Sequence, residues 1–289
     1  MELGISSYTY GWAVGTPGYP PPQPLDEHGL LDKAREHGVK LLQIGDNLPL
    51  HTFNAARLNR LAERADRDGV QLEIGARRLT VGRIGEYASI ARRLGAKLIR
   101  LVIDDRDYHP SPDAVIAVLR ESAPLLDGLK LGIENHDRFP AMTIRRMIEA
   151  AGSDHIGVCL DTANSLGAGE GIEAVTAVLA PVTVNLHVKD FVIERVSHSM
   201  GFNVSGCPAG AGMLDLAALL RTLAPFGKCT TAILELWTPP EPRLEDTIAK
   251  EARWAAESVD YLKPFFGEAK RQCSAGLRQV DPLTSASTT

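Results

Sequence analysis

The sequence predicts a single-domain α/β protein folded as a (β/α)8 barrel. Eight short apolar runs recur along the chain, and segments with apolar residues at helical spacing lie between them. Eight such units fill about 265 residues, close to the ~250 residues typical of a closed barrel. An open, doubly wound sheet would place a GxGxxG after its first strand, and the chain has none there.

The expected strands are LGISSY (3–8), KLLQIG (40–45), VQLEIG (70–75), KLIRLVI (97–103), LKLGIE (129–134), HIGVCLD (155–161), VTVNLHV (182–188) and TTAILEL (230–236). They are largely apolar on both faces, as strands of a parallel sheet covered by helices must be. Between them, Ile84, Tyr87, Ala88, Ala91 and Leu94 mark one amphipathic helix, and Ile248, Ala252, Ala255, Val259 and Leu262 another. Helix starts are signalled by Asp26, by Ser111 followed by Pro112 and Asp113, and by the Glu-rich opening of 241–251. Helix ends are signalled by Gly38, Gly69 and Gly95, each just ahead of a strand. Two connections are long: GWAVGTPGYPPPQPLD after the first strand, and 189–215 after the seventh, containing SHSMGFNVSGCPAGAG. Both fall at the C-terminal rim where barrel active sites are built, and are read as loops forming a lid. No linker divides the chain. The barrel is expected over 1–267, and a small, polar tail ending QVDPLTSASTT over 268–289.

Composition removes several function classes. The formal charge is −5 and no basic block occurs, which argues against a phosphate-backbone grip on nucleic acid. The longest apolar stretch, around Ala174 to Leu186, is interrupted by Pro181 and is too short to span a bilayer. The opening MELGISSYTY has neither the basic nor the apolar region of a secretion signal. Cys159, Cys207, Cys229 and Cys273 are far apart with no CxxC, as suits a reducing cytoplasm.

Four consecutive strands end on an ionisable residue: Glu134, Asp161, His187 and Glu235. Singly, each has an ordinary structural explanation: a carboxylate as a cap or a first solvated residue, and the histidine as a hydrogen-bonded structural residue. In a closed barrel, however, four neighbouring strand ends converge. Three crowded carboxylates repel one another unless a cation neutralises them. A divalent metal resolves the conflict, with His187 completing a set of three oxygen donors and one imidazole. Such a hard, oxygen-rich set suits Mn2+ foremost, with Mg2+ and Co2+ compatible.

The order Glu, Asp-Thr, His-x-Lys-Asp, Glu on strands five to eight resembles the xylose isomerase-like TIM-barrel superfamily of sugar isomerases and epimerases, from LGISSY to about Phe266. The resemblance implies metal ligands at Glu134, Asp161, His187 and Glu235, with Glu134 and Glu235 exchanging protons with the substrate. The implied chemistry is isomerisation or epimerisation of a small sugar or sugar acid through a metal-stabilised enediolate. Side chains two apart on a strand share a face. Lys189 is therefore expected beside His187, where it either receives a substrate carboxylate or oxyanion or pairs with Asp190. His136 is expected beside Glu134 and Trp237 beside Glu235. Asn164 either bonds a substrate hydroxyl or caps a helix, and Tyr8, Tyr10 and Trp12 either line the pocket or pack.

Three positions depart from the ketose 3-epimerases of that superfamily: Pro140 where they carry a second Glu, Asn164 where they carry a His, and Ile193 where they carry an Arg. The Lys-Asp pair after the metal His is closer to members acting as lyases. The opening SSYTYGWAVGTPGY resembles the 3-oxo-isoapionate decarboxylases, which makes decarboxylation of a 3-oxo sugar acid the alternative. Two other classes are less favoured. An apurinic-site endonuclease-like phosphodiesterase needs more histidine ligands and a basic surface, and a non-catalytic binding barrel would be indifferent to chelation. Gly210-Ala211-Gly212 reads as a tight turn rather than a phosphate site. Arg100, in an apolar strand, needs a carboxylate partner, with Asp46 and Glu73 the candidates. A small sugar or sugar acid is the expected partner, self-association into a homo-oligomer is left open, and neither nucleic acid nor membrane is expected.

Overall fold

The computed structural model describes residues 1–266. Eight parallel strands close into a barrel in the order β1-β10-β7-β6-β5-β4-β3-β2. They are β1 (Glu2–Ser6), β2 (Leu41–Ile44), β3 (Gln71–Arg77), β4 (Leu98–Val102), β5 (Lys130–Glu134), β6 (Ile156–Asp161), β7 (Thr183–Val188) and β10 (Thr231–Leu234). All eight strands expected from the sequence are present. Most of their residues are buried on both faces, which the near-continuous apolar runs required.

Helices α1 (Gly11–Val14), α2 (Glu27–Glu36), α3 (Ala55–Asp68), α4 (Val81–Leu94), α5 (Pro112–Ser122), α6 (Ala141–Ala151), α7 (Ile172–Leu179), α8 (Leu216–Leu223) and α9 (Leu244–Phe266) complete the units. The predicted boundaries rest on the expected chemistry. Asp26 caps α2 by accepting the His28 and Gly29 N–H groups, and Ser111 caps α5 ahead of Pro112. Gly69 and Gly95 end α3 and α4 in the left-handed conformation, at φ of 66° and 69°. Ile84, Tyr87, Ala88, Ala91 and Leu94 turn one face of α4 into the core, and Ala255, Val259 and Leu262 do so on α9.

One expectation changes. The stretch 189–215 is not simply a loop, because it carries an antiparallel hairpin, β8 (Asp190–Arg195) paired with β9 (Phe202–Cys207). The hairpin is half exposed and its six-residue connection, 196–201, has no two-residue Asn-Gly turn, so no hairpin signal was available. The Asp190 carboxylate anchors its base. It accepts N–H groups from Phe191 at 2.9 Å, Gly210 at 2.8 Å, Gly212 at 3.1 Å and Leu214 at 3.0 Å. A β-carbon on Gly212 would collide with that carboxylate and with Cys207, so the turn needs glycine there. The Gly210 and Gly212 amides thus serve Asp190 while the Ala211 N–H donates to Pro208 O at 3.0 Å, in keeping with the tight-turn reading.

The connection after β1 folds over the barrel mouth as α1. The tail expected over 268–289 lies outside the described residues. No helix among the described residues is long and apolar enough to cross a membrane.

Candidate metal centre

Parallel pairing brings the strand ends into register. Asp161, the last residue of β6, sits opposite His187 on β7, and Glu134 ends β5 opposite Cys159. Glu235 lies one residue past β10, where its N–H still donates to Val188 O at 3.1 Å. One donor atom from each of Glu134, Asp161, His187 and Glu235 lies within 4.8 Å of the others, and all four residues are buried. The structure therefore brings together the four residues that the sequence singled out.

Each side chain is held from outside the cluster. Asn164 Nδ2 donates to Glu134 Oε1 at 2.8 Å. Asp161 Oδ1 accepts the N–H groups of Ala163 and Asn164, both at 2.8 Å. Ser6 Oγ donates to Glu235 Oε1 at 3.1 Å, and His187 Nε2 bonds Gln43 Oε1 at 2.7 Å. Glu134 Oε2, Asp161 Oδ2, Glu235 Oε2 and His187 Nδ1 remain buried without a directed hydrogen bond. Buried polar atoms of a folded protein are nearly always partnered. Here His187 Nδ1 has no hydrogen-bond partner and the three carboxylate oxygens meet only the unaligned charges of Arg100 and Lys189, so this convergence of ligand-type residues fits a divalent cation. The donors, mostly oxygen, fit a hard one.

Two cations flank the carboxylates. Lys189 Nζ stands 2.8 Å from Asp161 Oδ2 and 2.9 Å from Glu235 Oε2 without being aligned for a directed hydrogen bond. The buried Arg100 guanidinium ion-pairs with both Glu134 and Asp46. Burial alone would raise the Glu134 pKa, but Arg100, followed by His187 and Lys189, holds it well below the usual carboxylate range. Burial is likewise outweighed at Glu235 by His187 and Lys189, which keep it ionised. Lys189 is pushed down by burial and up by Asp161 and Glu235, and the carboxylates win.

Of the other residues named from the sequence, Asn164 touches the cluster, as just described. Trp237 stacks its ring 5.8 Å from Lys189 Nζ, and Tyr8 donates its hydroxyl to Asp46 Oδ2 at 3.1 Å. Tyr8, Trp12, Asp46, Arg77, Val204 and Trp237 help line a cavity of about 930 Å³ at the barrel mouth. Lys189 is not paired with Asp190, whose carboxylate is taken up by backbone amides. His136 is half-buried and bonds the neighbouring Asp137 at 3.1 Å, so it does not enter the cluster. Tyr10 packs in the core, its hydroxyl 2.5 Å from His37 Nε2.

Arg100 was expected to pair with Asp46 or Glu73; it pairs with Asp46, and its contact with Glu134 was not expected. Glu73, the other candidate, instead accepts from Gln43 and Asn185. Ser6 and Gln43 went unnoticed. Their one signal was a polar side chain within an otherwise apolar strand.

The family model for xylose isomerase-like TIM barrels matches residues 31–265. A 3-oxo-isoapionate decarboxylase from Pectobacterium atrosepticum is 32% identical over 264 residues, covering 91% of this chain and 95% of that relative. Among solved structures, an L-ribulose 3-epimerase superposes with a TM-score of 0.69 at 18% identity, over 97% of this chain and 99% of that one. A xylose isomerase-like TIM barrel protein from Mycobacterium smegmatis, in complex with magnesium, gives 0.67 at 13% identity, over 90% and 97% of the two chains. At those identities the two structures speak to fold alone.

Proposed function

The chain belongs to the xylose isomerase-like TIM-barrel family, and from that premise we propose that it is a divalent-metal enzyme that decarboxylates a 3-oxo sugar acid. The observation that carries a metal-dependent reaction is the convergence of one donor atom from each of four buried ligand-type residues within 4.8 Å of one another. The choice of decarboxylation is supported by the relative of that activity, which is similar along nearly its whole length.

Glu134, Asp161, His187 and Glu235 would hold the ion, with Mn2+ the proposed metal. When bound, it supplies Lewis-acid stabilisation of negative charge on a substrate oxygen. Loss of CO2 from a 3-oxo acid moves the C1–C2 bonding pair between C2 and C3, leaving an enediolate that takes up one proton at C2. Lys189, buried beside two of the carboxylates, supplies a fixed positive charge to the developing oxyanion. Trp237 and Tyr8 form the wall against which the sugar lies, and Asn164 keeps Glu134 aimed inward.

A second reading, isomerisation or epimerisation of a small keto-sugar, uses the same enediolate. It is favoured by Glu134 and Glu235 facing one centre from different strands. It asks one carboxylate to accept a proton and another group to return it, whereas Glu134 is clamped by Arg100 and Asn164. Decarboxylation needs a single protonation and makes no such demand. Free thiols at Cys159, Cys207 and Cys229 accord with the cytoplasmic location we propose.

The test is incubation of Mn2+-loaded protein with 3-oxo sugar acids and with keto-sugars in D2O. Release of CO2 with one deuterium fixed at C2 is the expected result. Deuterium exchange into keto-sugars without CO2 supports the second reading, and inertness toward both substrate classes would defeat both.

A further inference from the structure

A buried polar circuit lies beneath His187 and touches no substrate-facing surface. Gln43 on β2, Glu73 on β3 and Asn185 on β7 are all buried inside the barrel. Gln43 Nε2 donates to Glu73 Oε2 at 3.0 Å and to Asn185 Oδ1 at 3.3 Å. Asn185 Nδ2 in turn donates to Glu73 Oε2 at 3.2 Å and to Thr231 Oγ1 at 2.7 Å, while its Oδ1 also accepts from the Cys159 thiol at 3.0 Å. Turning the Gln43 amide over would set its oxygen against Glu73 Oε2 and Asn185 Oδ1, two acceptors in a dry interior. The circuit therefore fixes the amide with Oε1 toward His187, where it lies 2.7 Å from Nε2. A ring nitrogen facing an amide oxygen must carry a proton, so in the neutral imidazole that binds a metal the single proton sits on Nε2 and Nδ1 offers its lone pair. Nδ1 is the ring atom 3.8 Å from Glu134, 3.9 Å from Asp161 and 3.4 Å from Glu235.

We propose that Gln43 is a positioning residue for the metal centre: it fixes the tautomer and ring orientation of His187 so that Nδ1 is the nitrogen offered to the ion. Glu73 and Asn185 act one step further back, by fixing Gln43. The inference rests on the reading of the four-residue cluster as a metal site. It adds a residue from β2, separated from β7 around the barrel by β1 and β10, and 144 positions away in sequence. A partner on the distal nitrogen of a ligating histidine commonly contributes 10–100-fold to metal affinity.

The experiment compares metal-stripped wild type with Gln43→Met, which fills similar volume but offers no comparable acceptor. Each is titrated with Co2+, followed by calorimetry and by the visible absorption of the bound ion, and each is melted without metal. Expected are Co2+ binding by wild type, a 10–100-fold weaker affinity in the variant and a changed absorption spectrum. Equal Co2+ affinity and spectrum, whatever happens to the melting temperature, would overturn the proposal while leaving the metal site standing. Failure of wild type itself to bind Co2+ would overturn both. A measurement independent of the variant's folding is the long-range 1H–15N spectrum of wild-type imidazoles with diamagnetic Zn2+ bound. It should show His187 protonated at Nε2, and a proton on Nδ1 instead refutes the assignment.

Discussion

Arg100 carries its charge into the barrel wall on β4 and faces Glu134 and Asp46 together. Removing one member of a buried ion pair costs more than the pair contributes, because the other charge stays buried without a partner. Arg100→Met is therefore expected to lower stability by about 3–5 kcal/mol, measured by urea denaturation of metal-free protein. A loss under 1 kcal/mol would mean that the guanidinium is dispensable to both carboxylates. Lys189 has a different task, since its ammonium contacts carboxylates that the ion is proposed to share. Lys189→Met is expected to reduce turnover by about 10²–10³-fold, the range for losing one fixed charge aimed at a developing oxyanion. With Mn2+ bound to neutralise the same carboxylates, the melting temperature should fall less than in metal-free protein, where Asp161 and Glu235 lose their buried partner. Glu235→Gln keeps the shape but removes a charge from the donor set. Its turnover should fall by at least ~10²-fold, whether Glu235 serves as ligand or as proton carrier. Near-normal steady-state rates in that variant would contradict both roles.

Two secondary-structure elements bring chain from far away to the barrel mouth, and each rests on one carboxylate. The β8–β9 hairpin and the following turn are gathered by Asp190 through four backbone amides. Asp190→Ala should cost on the order of 3 kcal/mol, the upper end for bonds to an ionised acceptor, and hydrogen exchange should speed up at Gly210, Gly212 and Leu214. On the other side, Glu251 of α9 accepts the N–H groups of Trp12 at 3.0 Å and Ala13 at 3.1 Å, and so holds α1 at the cavity. Burial pushes its carboxyl up to about 7, against the pull of those amides. A carboxyl whose folded pKa is raised contributes stability that is present below its ordinary pKa and lost as pH rises through 7. Wild type should thus lose stability between about pH 5 and pH 8, and Glu251→Gln should flatten that slope; an unchanged slope would show that Glu251 is not the group responsible. The sequence disclosed the strands and helices because burial on both faces and helix capping are local patterns. Neither carboxylate anchor was legible, since Glu251 and Trp12 are 239 positions apart and their meeting depends on closure of the barrel. The hairpin was missed for a related reason: its half-exposed strands lack both a buried run and a turn signature.

At the scale of the molecule, closure turns a one-dimensional pattern into a site. Glu134, Asp161, His187 and Glu235 were legible as a group because each ends a strand, and adjacent parallel strands set their ends side by side. The supports around them were not: Ser6 and Arg100 reach Glu235 and Glu134 from the adjacent strands β1 and β4 but sit as single polar residues inside apolar runs, and Gln43 of β2 meets His187 of β7 only across the barrel interior. A centre tied to so many strands couples metal binding to the stability of the whole barrel. A ligand that binds only the folded state adds RT ln(1 + [L]/Kd), about 2.7 kcal/mol at a hundredfold excess over Kd. For a domain of this size each kcal/mol moves the melting temperature by about 2–4 °C. Saturating Mn2+ should therefore raise the melting temperature of chelator-treated protein by roughly 5–10 °C. The increment should grow with the logarithm of metal concentration. Asp161→Ala, which removes one donor from the end of β6, should melt at the same temperature with and without Mn2+. A wild-type protein indifferent to both chelator and Mn2+ in the same scan would show that the buried carboxylates are balanced by Arg100 and Lys189 alone, and the cluster would then be a structural ion-pair network.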